Sequence, residues 1–250
     1  MAQLMHRVVL PVTFGLAVLV VWQGVIEAGM VSKLVLTGPV QIVTALITEA
    51  PTLLSNGLIT LTEAVSGFVL GSLAGLATAA LFIRFGALQR AVFPLTILME
   101  AVPVVAILPV LMLWMGNGMA PKIFIAAFLS FFPMLVNAYR GFSNVDADVQ
   151  ELMLSYSASP EQLFWKVRLP AALPFMFTAL KLSACSSIVS ALVAEWLASD
   201  QGLGYLIISY GQGYRVADVW AAATLACLLA LAFYGITAAG EKWALSRRTR

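Results

Sequence analysis

Apolar residues run along this chain in long blocks, separated by short polar stretches that hold most of the charge. A bilayer core of about 30 Å takes about 20 apolar residues to cross as a helix. Six blocks meet or approach that length, at about 8–26, 58–83, 91–114, 123–139, 174–197 and 219–238. They predict six transmembrane helices in a single all-α membrane domain spanning 1–250, with no linker and no repeat. The first block follows His6 and Arg7, as the apolar core of a signal peptide would. It is long enough to span, however, and no small-x-small cleavage site follows it, so it reads as an uncleaved first helix.

Two shorter segments show helical spacing outside these blocks. After Gly38-Pro39, the positions Val40, Val43, Leu46 and Ile47 predict a short amphipathic helix on the outer membrane surface, with a plain connector as the other reading. The second segment is the polar stretch 141–172. Asp148 with Glu151 three residues on predicts a helix start. Val149, Leu152, Met153 and Tyr156 then recur on one face. Ser159-Pro160 with Gln162 predicts a second start. That helix carries Leu163, Phe164 and Val167 on one side and ends at Leu169-Pro170, because the residue before proline leaves the helical region. On spacing alone, such a pair suits either resting on lipid or inserting into a partner protein.

Composition agrees with the block pattern. The chain is 61% hydrophobic and 10% charged, with a mean hydropathy of +0.95, whereas soluble domains carry about 25% charged residues. It is therefore an integral, multi-pass membrane protein. A formal charge of +2 gives no footprint for nucleic acid. Of the 14 Lys and Arg, Lys33, Lys122 and Arg215 fall on one side of the predicted spans, Lys181 falls within one, and the other ten fall on the opposite side. The positive-inside rule then puts both termini and the 141–172 loop in the cytoplasm.

Several chemistries are excluded. Each lysine (Lys33, Lys122, Lys166, Lys181, Lys242) is followed by Leu, Ile, Val, Leu or Trp, so the Gly-Lys-Ser/Thr of a phosphate-binding loop is absent. The single histidine, His6, supports neither a catalytic triad nor a zinc site, and no metal ligand set is expected. Cys185 and Cys227 lie in apolar runs and read as small buried residues rather than a disulfide framework. A membrane protease of the rhomboid kind would pair Gly-x-Ser with an intramembrane His, and the single histidine, His6, precedes the first predicted span. The chain is not expected to be an enzyme.

Charges inside spans mark functional positions. Glu63, Glu100 and Lys181 lie within predicted spans, and Glu195 lies near the outer end of the fifth. Glu100 precedes Pro103 in a helix broken again at Pro109, and broken helices are tolerated where they line a cavity. Glu100, Pro103, Ser187, Glu63 and Lys181 are therefore candidate pathway residues, with Lys181 a possible partner of Glu100. Ser183, Ser186, Ser187 and Ser190 share a broad face of the fifth span, suited to close helix packing or to a polar route. Gly202 and Gly204 predict a tight turn after Glu195, and these three are candidates for an outer gate or a partner contact.

The loop carries a family resemblance. Glu151 to Ser159, followed by Phe164-Trp-Lys-Val-Arg-Leu169-Pro170-Ala-Ala-Leu-Pro174, resembles the EAA loop of bacterial ABC importer permeases. Ala101-Val-Pro103, Ile107-Leu-Pro109 and Trp114-Met-Gly116-Asn-Gly118 resemble the nitrate/sulfonate/taurine branch, which also includes importers of thiamine pyrimidine precursors. So do Phe131-Phe132-Pro133, Val193-Ala-Glu195-Trp196 and Gly202-Leu-Gly204-Tyr205.

The resemblance implies a type I ABC importer permease fold with cytoplasmic coupling helices, in a homodimer in the bacterial inner membrane. It further implies two ATP-binding subunits that use ATP and Mg2+, an extracytoplasmic solute-binding protein, and no cofactor on this chain. It makes Glu151, Leu152, Met153, Ser157, Ala158, Ser159, Leu169 and Pro170 the ATPase-docking positions. Leu152 and Met153 stand where the family has alanines, and Ser157 where it has glycine. Serine there takes a left-handed turn at a cost.

The expected activity is import of a small polar solute by alternating access, and the alternative is a gradient-driven transporter using its acidic residues. An ionised Glu100 would repel anions unless Lys181 or helix dipoles compensate, which favours a neutral or cationic solute.

Overall fold

The computed structural model describes residues 2–32, 35–100 and 102–246, and among these every regular element is helical. In chain order they are α1 (Ala2–Glu27), α2 (Pro39–Thr48), α3 (Ala50–Arg84), α4 (Gly86–Glu100), α5 (Val104–Met115), α6 (Ala120–Ser143), α7 (Ala147–Ser155), α8 (Pro160–Leu163), a π-helical turn (Phe164–Arg168), α9 (Leu169–Ala198), α10 (Leu203–Gln212) and α11 (Val216–Ser246).

Five stretches are long and apolar enough to cross a bilayer: Val9–Glu27, Ala50–Arg84, Ala120–Ser143, Pro160–Leu197 and Val216–Ser246. They match five of the six expected spans. The sixth, 91–114, is not one helix but the α4–α5 pair, of 15 and 12 residues. Pro103 causes the break: it lacks an N–H, and its ring drives Val102 out of the helical region. Pro103 then becomes the N-cap of α5. Pro109, expected to break the helix a second time, stays inside α5. The Glu100 side chain and Ala101 lie outside the described residues.

Packing centres on α6, which lies along α3 on one side and α9 on the other; α5 covers the α6–α9 seam and α11 backs α9. The α3–α6 seam is close because Gly67, Gly71 and Gly75 recur every fourth residue. A Cβ on Gly71 would overlap the Ala127 carbonyl, so the two backbones touch without side chains between them. At the α7–α8 end the core is Phe82, Met134, Leu135, Phe142 and their neighbours. At the opposite end it is Leu53, Leu203, Leu206, Tyr210 and alanines of α11.

The short helix expected after Pro39 is present as α2. Ile42 and Ala45 are its buried positions, whereas Val40, Val43 and Ile47 are exposed, as suits a helix resting on the membrane surface. Helix α10 was not anticipated beyond a turn at Gly202, although Leu203, Leu206, Ile207 and Tyr210 carry the helical spacing. It packs on α11 and α9.

Candidate functional site

The 141–172 stretch folds as a helical hairpin. Its first helix starts at Asp146 rather than Asp148: the Asp146 side chain accepts from the Asp148 N–H at 3.1 Å. An N-cap two residues earlier leaves Asp148 in the first turn, where its charge opposes the helix dipole favourably. The second start is as expected. Ser159 accepts from the Gln162 N–H at 3.2 Å, and the Gln162 side chain accepts from the Ser159 N–H at 2.9 Å.

Between them, α7 ends in a Schellman turn. The Ala158 N–H reaches Met153 O at 3.0 Å and the Ser157 N–H reaches Leu154 O at 2.8 Å. Ser157 sits at φ 56°, the left-handed conformation that glycine takes without penalty. Ser157→Gly is accordingly expected to stabilise the hairpin by about 1 kcal/mol. Hydrogen exchange of the 156–159 amides checks it, and faster exchange in the variant would contradict the turn.

The hairpin's two helices play different parts. No residue of α7 is buried; Leu152 is 55% and Tyr156 77% exposed. Glu151 and Ser159 are also exposed, and Met153 and Ala158 are half-buried. The second limb is anchored, because Phe164 packs on Phe142 with ring centroids 5.2 Å apart. The expected stop at Leu169-Pro170 does not occur. The Leu169 N–H reaches back five residues to Phe164 O. This wide turn absorbs the donor that Pro170 lacks, so the helix runs on into α9. Arg168 ties the limbs together through Gln150 Oε1 at 3.3 Å.

At the other end of the bundle lies a buried polar network. Lys122, at the start of α6, donates to Glu63 Oε1 at 3.1 Å and to Ser199 Oγ at 2.7 Å. Lys122 is 4% exposed and Glu63 fully buried, so Lys122 belongs to the bundle interior and not to a surface loop. Glu195 is 1% exposed. It accepts from Thr60 Oγ1 at 2.7 Å and from the Gly204 N–H at 2.6 Å. Thr60 in turn accepts from the Leu203 N–H, and Asn56 from the Gly202 N–H.

Gly202 lies at φ 98°, and a Cβ on it would run into the Glu195 carboxylate. Glu195 therefore folds the α9–α10 turn back on α3. Glu195, expected at an outer gate or a partner contact, has both carboxylate oxygens engaged inside the chain. Nearby, Arg215 reaches Glu49 at 2.8 Å and Asp218 at 2.7 Å, and the Tyr210 hydroxyl donates to Glu49 Oε2 at 3.2 Å. Burial, then the Glu49 charge, pushes the Tyr210 phenol above its ordinary range, so it stays a donor.

Lys181 pairs with Glu241 of α11 at 2.6 Å, a partner that no local spacing marks. The four serines of α9 divide. Ser183 reaches Ser130 O of α6 at 3.4 Å, and Ser187 is fully buried with its hydroxyl turned to Ala184 O. Ser186 and Ser190 instead line a cavity of about 440 Å3 between α5, α6 and α9, with Cys185, Leu182, Val189 and Val193. Pro103 is exposed beside that region, at the N-terminus of α5.

The family model for the binding-protein-dependent transport system inner membrane component matches residues 67–250. The chain belongs to that family. It is 32% identical over 228 residues to a probable ABC transporter permease protein of Haemophilus influenzae, covering 91% of this chain and 93% of that one. It is also 32% identical to the formylaminopyrimidine transport permease protein ThiX of Halalkalibacterium halodurans, covering 78% of each. The putative aliphatic sulfonates transport permease SsuC of Bacillus subtilis is similar at 32%, over 82% of this chain and 75% of that one.

An inward-facing structure of the MetNI methionine ABC transporter shares the fold, with a TM-score of 0.66 at 21% identity over 76% of this chain and 95% of that one. The chain is thus an ABC permease of the type I importer fold, a multi-pass translocation component. In this permease the matched region begins within α3 and includes the hairpin and most of the buried network. Lys122, Thr60, Asn56 and Glu241, which complete the ion pairs and bonds, escaped the sequence reading. Their partners lie 59 to 146 residues away in the chain, and no local spacing marks them.

Proposed function

We propose that two copies of this permease form the solute pathway of an ATP-driven importer in a bacterial inner membrane, with both termini and the α7–α8 hairpin in the cytoplasm. The observation that carries the reading is the hairpin. It presents Leu152 and Tyr156 outward on a limb with no buried residue, while its other limb is rooted in the core and continuous with α9. An amphipathic pair resting on lipid needs no such rigid continuation.

Each hairpin docks one ATP-binding subunit through Glu151, Leu152, Met153, Ser157, Ala158 and Ser159, with Leu169 and Pro170 at the root. ATP and Mg2+ are used by that subunit, and an extracytoplasmic binding protein delivers the solute. Closure of the ATPase pair draws the hairpins together, and α9 carries the displacement to the cavity it lines with Ser186 and Ser190.

Glu100 and Pro103 stand at the α4–α5 break as pathway residues. Glu63, Lys181 and Ser187 support the bundle behind the pathway, and Gly202 and Gly204 shape the outer gate. The lining of the α5–α6–α9 cavity has hydroxyls, a thiol and apolar groups but no cation among the described residues. This supports a neutral, pyrimidine-type solute over a sulfonate, because a desolvated anion needs a compensating charge.

Purification of the tagged chain from its native membrane is expected to bring an ATP-binding subunit with it. Proteoliposomes of that complex should take up solute only with ATP and binding protein. Uptake by ATPase-free vesicles on an ion gradient would defeat the proposal and favour a gradient-driven carrier.

A further inference from the structure

At the hairpin end of α3 lies a cleft of about 360 Å3 that the importer reading does not use. Arg84 and Arg168 line it, with Ile83 and Leu163 as apolar wall, Glu161 at one side and Trp165. Trp165 is 65% exposed. Arg84 is exposed, and neither guanidinium forms an ion pair among the described residues; nor does Glu161. Arg168 spends one NH2 on Gln150, while its Nε is buried with no acceptor.

Depth identifies the anion. The apolar run of α3 ends immediately before Arg84, and the apolar run of α9 begins immediately after Arg168. Both guanidiniums therefore sit where hydrocarbon gives way to headgroups, and an exposed tryptophan is at home at that level. The wall formed by Ala80 and Ile83 belongs to the α3 span, so a ligand with an acyl chain meets apolar surface on the membrane side of Arg84. Guanidinium forks match phosphate oxygens two by two. We propose that this cleft binds the phosphate headgroup of an anionic phospholipid, at the root of the α7–α8 hairpin. The inference requires only that the chain spans a bilayer, not that the hairpin docks an ATPase.

The test uses the full-length chain purified with its accompanying subunits, titrated with phosphatidylglycerol, phosphatidylcholine or inorganic phosphate and read by native mass spectrometry. Retained phosphatidylglycerol, with little phosphatidylcholine, is the expected result. Arg84→Gln and Arg168→Gln should each weaken retention about ten-fold, and Arg84→Lys, which keeps the charge but not the fork, should recover only part of it. Arg84 is exposed at a helix end, so Arg84→Gln reports on binding even where Arg168→Gln perturbs the hairpin. Unchanged retention in Arg84→Gln, or equal retention of phosphatidylcholine, overturns the proposal. Inorganic phosphate binding as tightly as the lipid assigns the cleft to a free anion instead. Lipid binding that appears only after the ATP-binding subunit is stripped away assigns it to that protein.

Discussion

Leu152→Glu is expected to abolish solute uptake while leaving the amount of permease in the membrane unchanged. Leu152 is 55% exposed on a limb that contributes no buried residue to the fold, so the charge disturbs nothing within the chain. Buried in a partner's groove, the same charge would be desolvated without a counter-ion. Apolar anchors at the centre of such contacts contribute about 2 kcal/mol or more, so ATPase affinity should fall by roughly 30-fold. The loss should appear as reduced co-purification of the ATP-binding subunit, together with ATP hydrolysis no longer stimulated by solute and binding protein. Wild-type uptake by Leu152→Glu would remove α7 from the docking surface. Phe164→Ala separates the two roles of the hairpin: it removes the packing on Phe142 and should reduce the folded amount as well as the uptake.

Lys122→Met is expected to cost about 3–5 kcal/mol, because it strips the counter-ion from a carboxylate with no exposure to solvent. Glu63 would keep its buried position, and its Oε2 already has no hydrogen-bond partner. The thermal midpoint of the detergent-solubilised chain should drop by roughly 10 °C. Replacing both partners, Glu63→Met with Lys122→Met, should recover much of that loss, since two apolar groups leave no unpaired charge. Glu195→Gln belongs to the same network but should act differently. An amide can accept from the Gly204 N–H and donate to Thr60 Oγ1 if the Thr60 hydroxyl turns its proton to Asn56 O, 3.3 Å away, so the loss should be smaller than for Lys122→Met. A single Lys122→Met variant melting with the wild type would show that the pair is not what holds α3 to α6.

Periodicity and local capping chemistry alone made the membrane class, five of the crossing helices, α2 and the two-helix form of the 141–172 loop legible. Each is set by residues within a few positions of one another: apolar runs long enough for a bilayer, and Ser159 with Gln162 for a capping box. The absence of a phosphate-binding loop was likewise readable lysine by lysine.

Tertiary structure decided what no local window contains. It gave Lys122 to Glu63, Lys181 to Glu241, and Glu195 to Thr60 and Gly204. It also split the α9 serines between packing and a cavity, and carried the hairpin through a π-helical turn into α9 where Pro170 alone predicts a stop. The physical reason is the same in each case. A charged or polar group in an apolar interior takes whichever partner the packed helices bring within about 3 Å. Helix packing is set by side-chain and glycine contacts far apart in the chain, such as Gly71 against Ala127, and not by spacing along it.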